Sequence, residues 1–341
     1  MTAHPDSTTT ATAGGTAVST DPQSLTFPER PRIAIVGSGA LGSYYGARLA
    51  QHGQDVRFLM RSDLEHVREH GLDVRSHAGD FQLPQVQAFG GTEEIGPCDL
   101  VIISLKTTAN AALARLLPPL LHPGTVVLTL QNGLGNEEFL STLHPARQVL
   151  GGVCFVCINR LSPGVISHTA EGDIALGEFS GPALPRTRAI GAMLEAAGIP
   201  CRVSDSLAAV RWRKLVWNIP FNGLAITGGG ITTDLILQDP ALAKAVRGLM
   251  EEAIGAAAAL GHPLPDGWAD IQINRTPAMG AYRPSSMIDF VEGREVEVEA
   301  IWGEPCRRAQ SAGAPSGRME MLYWMIQSAV ARRQAGAASG G

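Results

Sequence analysis

Residues Arg32 to Gly46 read RIAIVGSGALGSYYG, a short β-branched run that leads directly into Gly37-x-Gly39-x-x-Gly42. Arg32 to Val36 has the length and composition of a buried strand. Ala40 to Gln51 can continue as a helix with Leu41, Tyr44, Tyr45 and Leu49 on its apolar side. In such a strand–turn–helix the first glycine makes a tight turn. The second lets backbone N–H groups approach a pyrophosphate, and the third lets helix pack closely on strand. Phosphates then rest at the positive end of the helix dipole. Glycine is common in this chain, 39 of 341 residues, so the three glycines alone would say little. The strand before them and the helix after them point to a dinucleotide site over Gly37, Ser38, Gly39, Ala40, Leu41 and Gly42, with a purely structural turn as the alternative.

At 341 residues the chain exceeds what one hydrophobic core usually organises, so two domains are expected. Its formal charge of −5 offers no basic stripe for nucleic acid. No apolar run approaches the ~20 residues needed to span a bilayer. Residues 1–29, rich in Thr, Ala, Ser, Gly and Pro, lack apolar periodicity and a secretory h-region and read as a disordered lead. The closing AGAASGG, 335–341, reads as a flexible tail. Five scattered cysteines fit a reducing cytoplasm. Cys154 and Cys157 form a CxxC, but on a strand residues three apart point to opposite faces. With no second CxxC, no metal or redox pair is expected there.

From Arg32 to about Val203 strands and helices alternate, and continuous apolar runs such as LVIISL (Leu100–Leu105) imply a parallel sheet covered on both faces. Strands are expected at Val56–Met60 and Gly124–Leu130, and helices at Leu64–His70, Ala109–Leu121, Asn136–Leu143 and Arg186–Ala197. Short strands at Gln148–Ile158, Gly164–His168 and Asp173–Leu176 suggest an antiparallel later sheet. After Ser204 the pattern turns helical, at Leu207–Leu224, Pro240–Leu260 and Met319–Arg333. This gives an α/β nucleotide domain over 30–204 and a mostly helical substrate domain over 205–334. Ligands of open parallel sheets bind beyond the strand C-termini, so the second domain should cover that edge.

An NAD-preferring site usually carries an Asp or Glu at the end of the second strand. Here that strand ends Phe58-Leu59-Met60-Arg61-Ser62, with Asp55 too early and Asp63 too late. Arg61 and Ser62 offer a cation and a hydroxyl where a 2′-phosphate would lie, which favours NADPH/NADP+. An exposed loop arginine is the alternative. Two further strand ends carry polar residues, Lys106 after LVIISL and Asn132 in Gln131-Asn132-Gly133. Both would stand near the nicotinamide, or serve as a surface lysine and a turn residue.

In the second domain Lys214, Asn218 and Asn222 recur every four residues on a helix whose other residues include Leu215, Val216, Trp217, Ile219 and Phe221. One ammonium and two carboxamides therefore share a face. Buried polar groups need partners, which a polar substrate or a structural hydrogen-bond ladder would supply. Pro220 within the pattern predicts a kink. Downstream, Arg283-Pro284-Ser285-Ser286-Met287 leads into Gly293-Arg294-Glu295-Val296-Glu297-Val298-Glu299. A carboxylate near Lys214 would hold it charged, but spacing does not choose among Glu295, Glu297 and Glu299.

The glycine fingerprint, SLK and QNG ending consecutive strands, W-x-K-L-x-x-N-x-x-x-N, and S-S-M followed by G-R-x-x-E together resemble the ketopantoate reductases (2-dehydropantoate 2-reductases), from Arg32 to about Val330. The resemblance implies a Rossmann domain followed by a helical domain of the 6-phosphogluconate dehydrogenase type. It implies NADPH reduction of the ketone of a small 2-oxo acid, 2-dehydropantoate, to (R)-pantoate. It places a catalytic lysine on Lys214 and an active-site glutamate on Glu297. Cofactor contacts fall on the glycine loop, Arg61, Lys106 and Asn132, and substrate contacts on Asn132, Asn218, Asn222 and Ser286. Analogy also suggests a homodimer. The chain departs from the pattern in a shortened 287–293 segment that puts Asp289 out of register, in Thr232 where some members have asparagine, and in Gly228–Gly230. These changes touch the substrate side. Two rival readings remain at this level, a related hydroxyacid or opine-type dehydrogenase and a non-enzymatic NADP(H) sensor.

Overall fold

The computed structural model describes residues 27–339. Most of the expected lead, 1–26, lies outside the described residues. Phe27, within the expected lead, packs against the core of the sheet, and residues 28–30 are exposed.

Among the described residues the first half forms a ten-stranded sheet. Its strands are β1 (Arg32–Val36), β2 (Asp55–Leu59), β3 (Leu72–Ser76), β4 (Phe81–Leu83), β5 (Gln87–Phe89), β6 (Leu100–Ile103), β7 (Val126–Thr129), β8 (Val149–Ser162), β9 (Val165–Glu178) and β10 (Cys201–Val203). The order β5-β2-β1-β6-β7-β8 is parallel throughout, the order of a doubly wound dinucleotide-binding sheet. Alternate residues of β1 serve opposite cores. Ile33 and Ile35 pack on one face, and Ala34 and Val36 on the other. Both faces are covered, which is why these strands are continuously apolar.

The helices are α1 (Ala40–Gln51), α2 (Leu64–His70), α3 (Thr92–Ile95), α4 (Leu113–Leu116), α5 (Asn136–Ser141), α6 (Pro185–Ala196), α7 (Leu207–Thr227), α8 (Thr233–Gln238), α9 (Pro240–Ala259), α10 (Trp268–Arg275), α11 (Ser285–Val291), α12 (Glu304–Ser311) and α13 (Gly317–Ser339). From α7 onward they surround a separate core that includes Trp212, Phe221, Met250 and Trp302. Ser206 caps α7, accepting from the Ala209 N–H at 3.3 Å. The helix runs on through Pro220 to Thr227.

Several expected elements are corrected. The three short strands expected after Gln148 are two 14-residue strands, β8 and β9, paired antiparallel. Register shifts at Phe155/Val156, Cys157/Ile158 and Arg160/Ser162 let the ladder continue past residues that look like breaks. The continuous helix expected over Ala109–Leu121 is a 3₁₀ stretch, the four-residue α4 and a second 3₁₀ turn at Pro118–Leu120, because Pro118 and Pro119 interrupt it. The tail expected over 335–341 continues α13 to Ser339, in keeping with the helix propensity of its alanines. Residues 340–341 lie outside the described residues.

Candidate active site

The glycine turn is built as a cradle. Gly37 has φ +105°, and a Cβ there would lie 2.4 Å from the Leu105 backbone nitrogen. Only glycine meets both demands. A Cβ on Gly42 would meet the Gly37 carbonyl at 2.4 Å, whereas at Gly39 the space is open. The first-turn N–H groups of α1, from Ala40, Leu41 and Gly42, have no acceptor within the helix. The Ser38 hydroxyl is buried without a hydrogen-bond partner among the described residues. Open space at the middle glycine, free donors and an orphaned hydroxyl fit the phosphates of a dinucleotide.

Beyond β2, Arg61 is exposed and its side chain has no polar partner among the described residues. Ser62 donates to Asp63 at 2.7 Å. Asp63 is itself buried and paired with Arg160 from the end of β8. Its neighbours, led by the Ser62 hydroxyl and Arg160, outweigh burial and hold its carboxyl below the usual carboxylate range. That carboxylate is committed to Ser62 and Arg160, and Arg61 is the exposed cation beyond this strand end.

The helical half meets the sheet along the C-terminal ends of β6 and β7. Lys106, just past β6, reaches the Asp289 carboxylate at 2.6 Å and the Glu295 carbonyl at 3.0 Å. The fold thus brings Asp289, expected from the sequence to be out of register, to this strand end. The next residue, Thr107, donates its backbone N–H to Glu297 at 2.8 Å. Past β7, the side-chain oxygen of Asn132 accepts from the Lys214 ammonium at 2.6 Å, and the Cys154 carbonyl on β8 accepts from it at 2.8 Å. Leu134 N–H donates to the Ala300 carbonyl at 2.9 Å. That carbonyl sits where a side chain on Gly133 would have to be, 2.2 Å from its ideal Cβ. Lys106, Asn132, Lys214 and Glu297 thus gather along one seam, contributed by both halves.

The geometry separates the three glutamates. Glu297 is buried on the seam, Glu295 is exposed, and Glu299 turns outward to Arg307 and Tyr323. Burial pushes the Glu297 carboxyl above its ordinary pKa, against the pull of the Thr107 N–H and Lys106. Burial pushes the Lys214 ammonium below the ordinary lysine value; Cys154 and Glu297 oppose that shift and Arg211 adds to it.

Asn218 and Asn222 continue the Lys214 face of α7. Asn218 is buried, lines the same small recess as Asn132 and Lys214, and its carboxamide makes no hydrogen bond among the described residues. Asn222 accepts from the Ser286 N–H at 2.9 Å, which places the first turn of α11 against α7. Ser286 is buried, and its hydroxyl makes no hydrogen bond among the described residues. The recess at Lys214 holds only about 10 Å³, room for a water. Beside it a cleft of about 320 Å³ opens between Thr107, Asn110, Asn136 and Glu297.

The sequence reasoning missed a second buried set. Arg211, one turn before Lys214, pairs with buried Glu137 of α5 and donates to the Gln131 and Gly133 carbonyls at 2.8 and 3.3 Å. The available signal was the arginine itself, on the Lys214 side of an apolar helix.

The model of the family described as ketopantoate reductase PanE/ApbA matches residues 33–181, and that of its C-terminal domain matches residues 206–330. A 2-dehydropantoate 2-reductase of Nostoc sp. is 40% identical over 310 residues, covering 89% of this chain and 97% of that protein. The crystal structure of a 2-dehydropantoate 2-reductase from Geobacter metallireducens is 47% identical and superposes with a TM-score of 0.85, over 87% of this chain and 99% of that one. A D-mandelate dehydrogenase solved with NADH and anilino(oxo)acetate is 21% identical with a TM-score of 0.79, over 89% of this chain and 99% of that one, a likeness of fold alone.

Proposed function

The chain belongs to the ketopantoate reductase family, and on that premise we propose that it reduces 2-dehydropantoate to (R)-pantoate with NADPH, in the cytoplasmic route to pantothenate and coenzyme A. One observation carries the reading. Lys214, an amine from the helical half, is hydrogen-bonded to Asn132 at the strand end where a nicotinamide would lie.

NADPH, when bound, supplies the hydride to the C2 ketone. The glycine loop and the Ser38 hydroxyl would hold its pyrophosphate, and Arg61 its 2′-phosphate, by charge-assisted hydrogen bonds. Lys106 and Asn132 would border the nicotinamide half. Lys214 carries a proton at Nζ and gives it to the oxygen that develops negative charge as the ketone is reduced. Its lowered pKa makes it a better donor than an ordinary lysine. The unpartnered carboxamide of Asn218 suits the substrate hydroxyl. The free Ser286 hydroxyl, backed by Asn222, suits the carboxylate. Glu297 would orient substrate and lysine from the opposite wall. Such a site rejects analogues that leave these buried groups unpaired.

The test is to follow NADPH and NADH oxidation by the purified full chain across a panel of 2-oxo acids. The reading expects the highest kcat/KM with 2-dehydropantoate, and NADPH preferred over NADH. Turnover of another 2-oxo acid with none on 2-dehydropantoate would make it a related dehydrogenase. Tight NADPH binding with no turnover on any ketone would make it a sensor.

A further inference from the structure

The turn after β7 is held more firmly than a loop requires. Its three consecutive carbonyls are each taken by a buried polar side chain. Arg211 donates to Gln131 and Gly133, and Asn136 donates to Asn132 between them at 2.9 Å. The Gln131 side chain adds a brace to the neighbouring strand end, donating to the Leu105 carbonyl at 2.9 Å and to Asn110 at 2.7 Å. Within Gln131–Gly133 only the Asn132 side chain is left to turn, and it meets Lys214.

Arg211 works from a buried ion pair. Its Nε donates to Glu137 at 2.9 Å, and both side chains are only 4% exposed. A glycine on β8 keeps room for the carboxylate, since a Cβ at Gly151 would lie 2.3 Å from it. A buried ion pair is weak as a stabiliser, because apolar residues of similar volume usually do as well. Its use is to fix one arrangement. Arg211 and Lys214 stand one helical turn apart on the same side of α7, and they hold Gln131, Asn132 and Gly133 between them.

We propose that Arg211 and Glu137 form the positioning pair of this site. Arg211 grips the carbonyls on either side of Asn132, and Asn132 therefore presents its side-chain oxygen to Lys214 wherever the two halves meet. The inference rests on the reading of Lys214 as proton donor, and its test separates the two. The charged or titratable groups that act most on the Lys214 ammonium are Cys154 from β8, Arg211 from α7 itself, Glu297 from the segment after α11, and Asp173 from β9. Of these only Arg211 is positive.

The chain has three lysines, Lys106, Lys214 and Lys244, so the full-length protein carrying isotope-labelled lysine gives an NMR titration of Lys214 that needs no turnover. Arg211→Met removes the positive charge and leaves Glu137 behind, so Lys214 should titrate at higher pH than in the native protein. Glu137→Gln leaves Arg211 uncompensated, and Lys214 should titrate lower. The double variant should return near the native position. In all three, kcat on the best 2-oxo acid substrate should fall about 10–100-fold, the cost of a small misplacement, with KM for the cofactor little moved. Arg211→Lys, which keeps the charge but not the two-pronged grip, should lose kcat as well.

Titrations that move the same way in both single variants overturn the inference, as does a folded Arg211→Lys protein with native kcat. Where the single variants do not fold, the double variant decides, since it leaves no buried charge unpaired. Native kcat in the double variant overturns the inference, and a loss of kcat at unchanged Tm supports it. A native protein that reduces no 2-oxo acid counts against the proposed function alone, because opposite movements of the Lys214 titration would still identify the pair.

Discussion

The two sides of the candidate site hold their polar groups in opposite ways. On the nucleotide side they are left open. Among the described residues Gly39 faces empty space, the Ser38 hydroxyl has no partner, and Arg61 is exposed and unpaired. On the chemical side most are already engaged across the seam, Lys214 with Asn132, Glu297 with Thr107 and Lys106 with Asp289. A glycine turn and a helix N-terminus make a phosphate cradle from local backbone geometry, so that side exists within one half of the molecule. The proposed proton donor, Lys214, meets its partner Asn132 only where the halves meet. The two sides should therefore break separately.

Lys214→Ala gives the largest expected effect. Turnover should fall ~10²–10⁴-fold while NADPH affinity stays near native, because the lysine belongs to the chemical side alone. Steady-state kinetics with a separate binding titration measures this, and a loss of less than about tenfold would mean that Lys214 is not the acid. The pH profile sharpens the same point. The acid must be protonated, and its pKa is lowered by burial, so activity is present below that pKa and is lost as pH rises through it, at a pH below the ordinary lysine range. If Glu297 orients the lysine as a carboxylate, its burial-raised pKa should cost activity as pH falls through a value above the ordinary carboxylate range. An alkaline limb at the ordinary lysine value would contradict the buried-amine account.

Arg61→Ala tests the other side and ranks next. Hydrogen bonds to a charged group are worth about 1.5–3 kcal/mol, so the Kd for NADPH should rise roughly 10–100-fold. NADH, which lacks the 2′-phosphate, should bind as before, and kcat at saturating cofactor should hold. Equal losses with both nucleotides would show Arg61 to be a general support of the loop.

The same division decides what could be read from the chain. The first strand and helix fall at Arg32–Val36 and Ala40–Gln51, where the sequence puts them, because an apolar run and a glycine turn act locally. β3, β4 and β5 escaped notice, being short and partly exposed. β3 owes its place to β9, some ninety residues away, through pairs such as Val74 with Ile166. The short helices α8, α10, α11 and α12 were also missed, since they are fixed by packing on α7 and α9 more than by their own periodicity. Lys214, Asn218 and Asn222 were legible as a face because four-residue spacing is a property of one helix. The choice among Glu295, Glu297 and Glu299 was not, because it depends on which carboxylate the Thr107 N–H meets across the seam. The Arg211–Glu137 pair was invisible for the same reason, its partners lying on α7 and α5.

Lys106, like Asn132, is assigned to both sides, and Asp289 tests which claim on it is stronger. The lysine side chain is 37% exposed and the aspartate 13%, and Arg294 shares the same carboxylate at 2.8 Å. If Lys106 must leave Asp289 to meet the cofactor, Asp289→Asn should tighten NADPH binding. A partly exposed pair contributes at most about 1 kcal/mol, so the gain should not exceed roughly fivefold in Kd. If the pair instead survives in the complex and helps hold the halves together, the same substitution should weaken binding by a similar factor and lower Tm slightly. A calorimetric titration of NADPH into the variant reads the sign directly. Tightening would place Lys106 with the open, nucleotide-facing groups, and weakening would place it with the groups fixed across the seam.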